Sequence, residues 1–122
     1  MKSRRSPSRR PDQVAETLRQ VITDALVRGE VRDPRVGLVT VTDVRVTGDL
    51  GHARVLVAAP GEDAERLRAI EGLRSAAGFL RSKAARTLST RTVPELHFEL
   101  DRGVEHVARI NELLDEIKRG SA

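Results

Sequence analysis

The side chains in this sequence that could do chemistry are three histidines, scattered carboxylates and two dense groups of cations. Only the cations stand at a spacing that leads anywhere. His52, His97 and His106 are far apart, with no pair one helical turn apart and no acidic run beside them. A histidine metal site usually announces itself through such spacing, so no metal ligands are expected. Cysteine is absent, which removes a thiol nucleophile, a disulfide framework and a zinc ribbon together. Neither Gly-x-x-x-x-Gly-Lys-Ser/Thr nor Gly-x-Gly-x-x-Gly occurs, and those loops are how backbone amides cradle nucleotide phosphates. The carboxylates fall on exposed helix faces and turns rather than in apolar runs that would perturb them. The sequence therefore predicts no catalytic residues, no cofactor and no metal.

The cations differ. Between Gly72 and Pro94 stand Arg74, Arg81, Lys83, Arg86 and Arg91 without one acid, and between Met1 and Pro11 stand Lys2, Arg4, Arg5, Arg9 and Arg10, again without one. The net charge is +4, so the remainder is net acidic and the chain is electrically two-sided, a distribution that suits a polyanion. Arg74, Gly78 and Arg81 are four and three residues apart, which lines them along one side of a helix with bare backbone between two guanidinium groups. A phosphate fits there. A kink within Ser75-Ala76-Ala77-Gly78 would add the amide groups that open the second half of the helix. Lys83 and Arg86 lie on another side, and Arg91 beyond them widens the positive surface. Without a partner, the same residues are a solvated, arginine-rich helix face. The amino-terminal cations are an accessory set that adds phosphate neutralisation, or else a solubility tail. Gly48-x-x-Gly51 has the spacing of a KH-type backbone clamp. It stands between two strands and carries Asp49, which would repel phosphate, so it reads as a hairpin turn.

Those residues need a scaffold, and the hydrophobic pattern supplies one. Residues 1–11 have one apolar side chain and two prolines, too little to bury, so a disordered basic arm is expected. Asp12 offers an N-cap to a helix whose apolar face is Val14, Leu18, Val21, Ile22, Ala25 and Leu26, ended by Gly29 and Pro34. A strand is expected from Val36 to Val46. Val39 and Val41 differ in parity from Val44 and Val46, so a bulge near Thr42 and Asp43 would keep all four on one face. After the turn, Ala53, Val55 and Val57 alternate along a second strand of an antiparallel hairpin. Glu62, Asp63 and Glu65 favour a helix start. Leu67, Ile70, Leu73, Ala77, Leu80, Ala84 and Leu88 then form a helical stripe, interrupted by the kink. Leu96, Phe98 and Leu100 alternate in a third strand entered through Pro94. Asp101 can cap a last helix with Val104, Val107, Ile110, Leu114 and Ile117 on one face. The predicted architecture is α+β, a layer of helices over a three-stranded sheet, occupying residues 12–118 with a disordered tail at 119–122.

A chain of 122 residues is one domain in size, large enough to fold without disulfides or metal. Phe79 and Phe98 are the only aromatics, so bases cannot be gripped by rings on a sheet, and nucleic acid would be held by phosphate and shape. No stretch approaches the roughly 20 apolar residues of a membrane span. The Arg4-Arg5 pair is followed by no apolar run of an export signal. A soluble cytoplasmic protein is expected.

Six segments occur in order within a stretch that runs from about Pro11 to Leu114: Asp33-Pro34-Arg35-Val36-Gly37; Val39-Thr40-Val41-Thr42-Asp43-Val44; Asp49-Leu50 with Ala53; Ser75-Ala76-Ala77-Gly78-Phe79-Leu80-Arg81; Pro94-Glu95-Leu96-His97-Phe98; and Arg109-Ile110-x-x-Leu113-Leu114. Together they resemble the ribosome-binding factor A family. The resemblance implies a type II KH-like domain with an additional C-terminal helix, in which an Ala-x-Gly kink, here Ala76-Ala77-Gly78, replaces the usual clamp. It implies a non-catalytic maturation factor that binds free 30S ribosomal subunits and 16S rRNA near its 5′ region, assists precursor processing and supports growth in the cold. By position, the RNA-facing residues would be Arg74, Ser75, Ala76, Ala77, Gly78, Arg81, Lys83, Arg86 and Arg91, on a monomer. Gly103 stands where the family often shows serine, and the basic extension lies at the amino end rather than the carboxyl end. Two other readings remain: a protein-interaction module docking an acidic partner, and a small basic nucleic-acid-binding protein.

Overall fold

The computed structural model describes residues 9–88 and 92–120 and, for Arg9 and residues 104–108, the backbone only. The elements follow the expected order: α1 (Arg9–Val27), β1 (Thr40–Val46), β2 (His52–Ala58), α2 (Asp63–Ser75), α3 (Ala77–Thr87), β3 (Glu95–Leu100) and α4 (Arg102–Gly120). The sheet order is β1-β2-β3, with β1 antiparallel to β2 and β3 parallel to it. Helices α1, α2 and α3 pack on the sheet. Between the two layers lie Val14, Leu18, Ile22, Val44, Val55, Val57, Ile70, Leu73, Leu80, Leu96 and Phe98, all buried. Each side chain of this kind contributes about 1.5–3 kcal/mol on full burial, and this shared core joins the three helices to the sheet.

The bulge lies where the valine parity requires it. Register shifts between Val41 and Asp43, so that Val41, Val44 and Val46 face Val57, Val55 and Ala53 on the core side. The intervening Thr42 donates from Oγ1 to Asp101 Oδ2 at 2.6 Å. Asp101 in turn accepts from the Gly103 amide at 3.0 Å, the cap expected at the start of α4.

Several boundaries differ from expectation. Helix α1 begins at Arg9, so Asp12 is a first-turn acid rather than the N-cap. Proline is tolerated at Pro11 because the first amides of a helix have no intrahelical acceptor; the ring is buried. Residues 1–8 of the expected arm lie outside the described residues, as do Ser121 and Ala122; α4 itself continues to Gly120. Strand β1 begins at Thr40 rather than Val36. Val36 instead plugs the core from a turn and is 4% exposed. Its methyl group lies against Gly72, where an added Cβ would sit 2.9 Å from Val36 Cγ2. The α1–β1 loop can thus seat on α2 only because residue 72 has no side chain. Leu67, expected in the buried stripe, is 51% exposed.

The apolar face expected of α4 is not buried. Ile110, Leu114 and Ile117 are exposed, as is Leu113; Val104 and Val107 fall outside the described side chains. Among the described residues, α1, α2 and α3 pack on the sheet, and α4 makes no comparably extensive contact with any other element.

Candidate nucleic-acid interface

The helix interruption is real and local. Helix α2 ends at Ser75, Ala76 adopts φ −89° and ψ 0°, and α3 begins at Ala77 with no side chain capping its first turn. The Ala76 amide still donates to the Gly72 and Leu73 carbonyls, so the chain bends without losing that link. Ala76 and Ala77 are half-buried against the core, which fixes the bend from below. Gly78 is exposed, and nothing lies within 4 Å of where its Cβ would be. Packing within the domain therefore does not demand glycine at this point, and the bare backbone is available to a ligand.

A shallow trough of about 460 Å³ runs along this side of α3, lined by Gly78, Arg81, Ser82, Ala85, Thr92 and Val93. Gly78, Arg81, Ser82 and Ala85 share it because they recur at three and four residues on one helix face. The far wall is the segment leading into β3. Arg81 binds the two walls together: its Nε donates to the Pro94 carbonyl at 3.1 Å and its Nη2 to the Val93 carbonyl at 2.8 Å.

The other expected residues spread around the bend rather than converge on it. Arg74 reaches toward β3, its Nη2 3.4 Å from the Phe98 carbonyl. Ser75 turns the opposite way, its Oγ accepting from Arg35 Nη2 at 3.1 Å. Lys83 does not belong to a free cationic surface. Its ammonium is 2.7 Å from Glu30 Oε1 and holds that carboxyl below its ordinary range. Its position on α3 points it toward the end of α1, and its charge is spent there. Arg86 is exposed. Among the described residues, no carboxylate is ion-paired with Arg74, Arg81 or Arg86. Of the accessory set, Arg10 is exposed on α1, the Arg9 side chain is not described, and Lys2, Arg4 and Arg5 lie outside the described residues, as does Arg91.

Sequence reasoning missed Arg35, which reaches Ser75 at the end of α2. Asp33 accepts the Arg35 amide at 3.0 Å, its Nε at 2.9 Å and its Nη2 at 2.6 Å. These bonds lower the Asp33 carboxyl to about 2. The guanidinium so fixed reaches Ser75 and, at 3.8 Å, Glu71. The signal was present in the Asp-Pro-Arg triplet, since an aspartate two residues before an arginine across a proline turn can close on it.

The histidines also need correction. Two of the three are not scattered: parallel pairing sets His52 opposite Glu95 and Arg54 opposite His97, bringing His52, Glu95 and His97 together on the outer face of the sheet. Sequence separation hid the cluster because a parallel crossover brings distant segments into register.

The comparisons agree with this architecture. The family model described as ribosome-binding factor A matches residues 10–114. A ribosome-binding factor A from Desulforamulus reducens is 41% identical over 115 residues, covering 94% of this chain and 95% of the relative. One from Thermomicrobium roseum is 46% identical over 113 residues, covering 93% of this chain and 87% of the relative. Among solved structures, the crystal structure of ribosome-binding factor A from Thermus thermophilus is similar with a TM-score of 0.62 and 28% identity, over 74% of this chain and 94% of that one. The solution structure of a Thermotoga maritima protein, described as a putative ribosome binding factor A, gives a TM-score of 0.66 and 30% identity over 77% and 89% of the two chains. A Thermus thermophilus homology model fitted into a cryo-electron-microscopy map of a 30S complex gives 0.52 and 30%, over 70% and 93%. With the family model matching residues 10–114 and relatives 41% and 46% identical over nearly the whole chain, this chain belongs to the ribosome-binding factor A family.

Proposed function

We propose that the chain is a non-catalytic assembly factor of the small ribosomal subunit that occupies immature 16S rRNA through the trough beside Gly78. The observation that carries this reading is the pairing of an exposed, sterically open Gly78 with Arg81 in one trough, inside a segment that has no acid from Gly72 to Pro94. Phosphate can approach the backbone at Gly78 while a guanidinium closes from the side. Arg86 and Arg91 extend the contact along α3 and past it, Arg74 supplies a cation at the other end of the bend, and the amino-terminal arginines strengthen the encounter with the polyanion. The factor binds the free 30S subunit, assists processing of the 16S precursor and leaves on maturation, working in the cytoplasm as a monomer.

The test is binding to purified immature 30S subunits by sedimentation across a salt series. If Arg74, Arg81, Arg86 and Arg91 each meet one phosphate, log affinity falls with log salt at a slope of roughly −2.8 to −3.6. Crosslinks should map to α3 and to ribosomal RNA. A flat salt response would overturn the phosphate contacts altogether, whereas partners retained after complete RNA digestion would instead indicate docking on an acidic protein.

A further inference from the structure

We infer that His52, Glu95 and His97 form a binding site for a divalent transition-metal ion of the zinc class on the outer face of the sheet. This site is independent of the trough beside Gly78. His52 Nδ1 is 3.0 Å from His97 Nε2. Glu95 Oε1 lies 3.5 Å from the first nitrogen and 3.7 Å from the second. Tetrahedral zinc, with bonds of about 2.0–2.1 Å, separates its ligand atoms by about 3.3 Å, and all three separations fall within a few tenths of that value. The triangle they define has a centre about 2.0 Å from every corner, so one ion can reach all three donors at bonding distance without moving the backbone.

The sheet supplies this geometry. Glu95 and His97 are alternate residues of β3 and so point the same way, while His52 begins β2 directly opposite Glu95 and points out on that same face. The Glu95 amide donates to the Gly51 carbonyl at 2.9 Å, which locks the register at the site. Without metal, one ring must present N–H to the other nitrogen, because two lone pairs would repel at this distance. Coordination asks only that this hydrogen move to the far nitrogen of its own ring, leaving both imidazoles neutral.

Two imidazoles and one carboxylate favour zinc, nickel, cobalt or copper over magnesium or calcium, which take oxygen ligands. Arg54 stands opposite His97 in the register. Glu99 engages it through two hydrogen bonds of 2.8 and 3.1 Å, so its charge does not oppose a bound ion. The fourth position faces solvent and would hold water or an external anion. A bound ion would also clamp the first residue of β2 to the start of β3.

The test uses untagged, full-length protein titrated with zinc chloride by calorimetry, with thermal melting read in parallel. One zinc should bind per chain in the micromolar range and raise the melting temperature, and millimolar magnesium should neither compete nor stabilise. His52→Ala and His97→Ala should each weaken binding about tenfold or more and abolish the thermal gain, whereas His106→Ala should bind as the native chain does. All three ligand positions are exposed, so these variants fold. Absence of saturable zinc binding in the micromolar range, or binding unchanged in the His52→Ala, His97→Ala double variant, overturns the site. Neither result bears on ribosomal RNA binding, which is scored separately.

Discussion

Arg81 donates from Nη2 to the Val93 carbonyl oxygen at 2.8 Å, so the cation beside Gly78 is also a strut for the segment that enters β3. Charge at this place cannot be changed without changing the wall of the trough.

Arg81→Glu is therefore expected to lower stability by roughly 1–2 kcal/mol, as two carbonyls lose a charged donor, as well as to weaken binding to 30S subunits. Arg86→Glu removes an exposed cation with no ion-pair partner among the described residues and should weaken subunit binding with an unchanged melting temperature. Melting curves and subunit sedimentation, measured on both variants, separate the two roles. An Arg81→Glu protein that melts like the native chain would refute the strut.

Gly78→Ala should stabilise the free protein by about 0.5–1 kcal/mol, because alanine is the better helix former and its methyl group enters open space. If RNA backbone approaches there, the same variant loses subunit affinity. Stability and binding thus move in opposite directions, and a variant that gains both removes Gly78 from the interface.

Gly72→Ala places a methyl group 2.9 Å from Val36 Cγ2, with Arg35 Cβ and Asp33 Cγ at 3.3 Å. Overpacking of this kind costs about 1–3 kcal/mol. Denaturant unfolding should show it, and Gly72→Ala combined with Val36→Ala should recover part of the loss.

Acid should unfold the protein through its bonded carboxylates. Asp33 titrates at about 2 in the folded chain, below its ordinary value near 3.9, while Glu16, Glu30, Asp49 and Glu99 are lowered as well. A depressed carboxyl stabilises the fold above its unfolded value and loses that contribution as pH falls toward the folded one. The melting temperature should hold from neutral pH to about 5 and decline between about 4 and 2. Asp33→Asn should flatten part of that decline, and an unchanged acid limb would show that the Arg35 contact is not made in solution.

Much of the architecture was legible because each signal is local. The parity break between Val41 and Val44 demanded a bulge, the small residues at 75–78 demanded a bend, and the α1 stripe from Val14 to Ala25 needed only its own period. Illegible features depend on distant partners. Nothing near Lys83 in sequence reveals that Glu30 neutralises it, nothing near Arg81 reveals that it holds Val93, and His52 meets His97 only after β3 has been carried alongside β2. Val36 misled for a related reason: β-branched composition reports burial, and here burial is achieved from a turn. The trough was half readable, since Gly78 and Arg81 share a helix face, but its other wall at Thr92 and Val93 comes from across the fold.

Strand β2 is the centre of the sheet, and its partner on one side arrives only through residues 59–94. During synthesis the β1–β2 hairpin can close early from neighbouring segments, whereas β3 must await both halves of the crossover. Non-local pairing of this kind slows folding. Until it is complete, the edge of β2 carrying Val55 and Val57 stands open to any other extended chain. A nascent copy is thus most vulnerable to aggregation in the interval before Glu95 to Leu100 have left the ribosome.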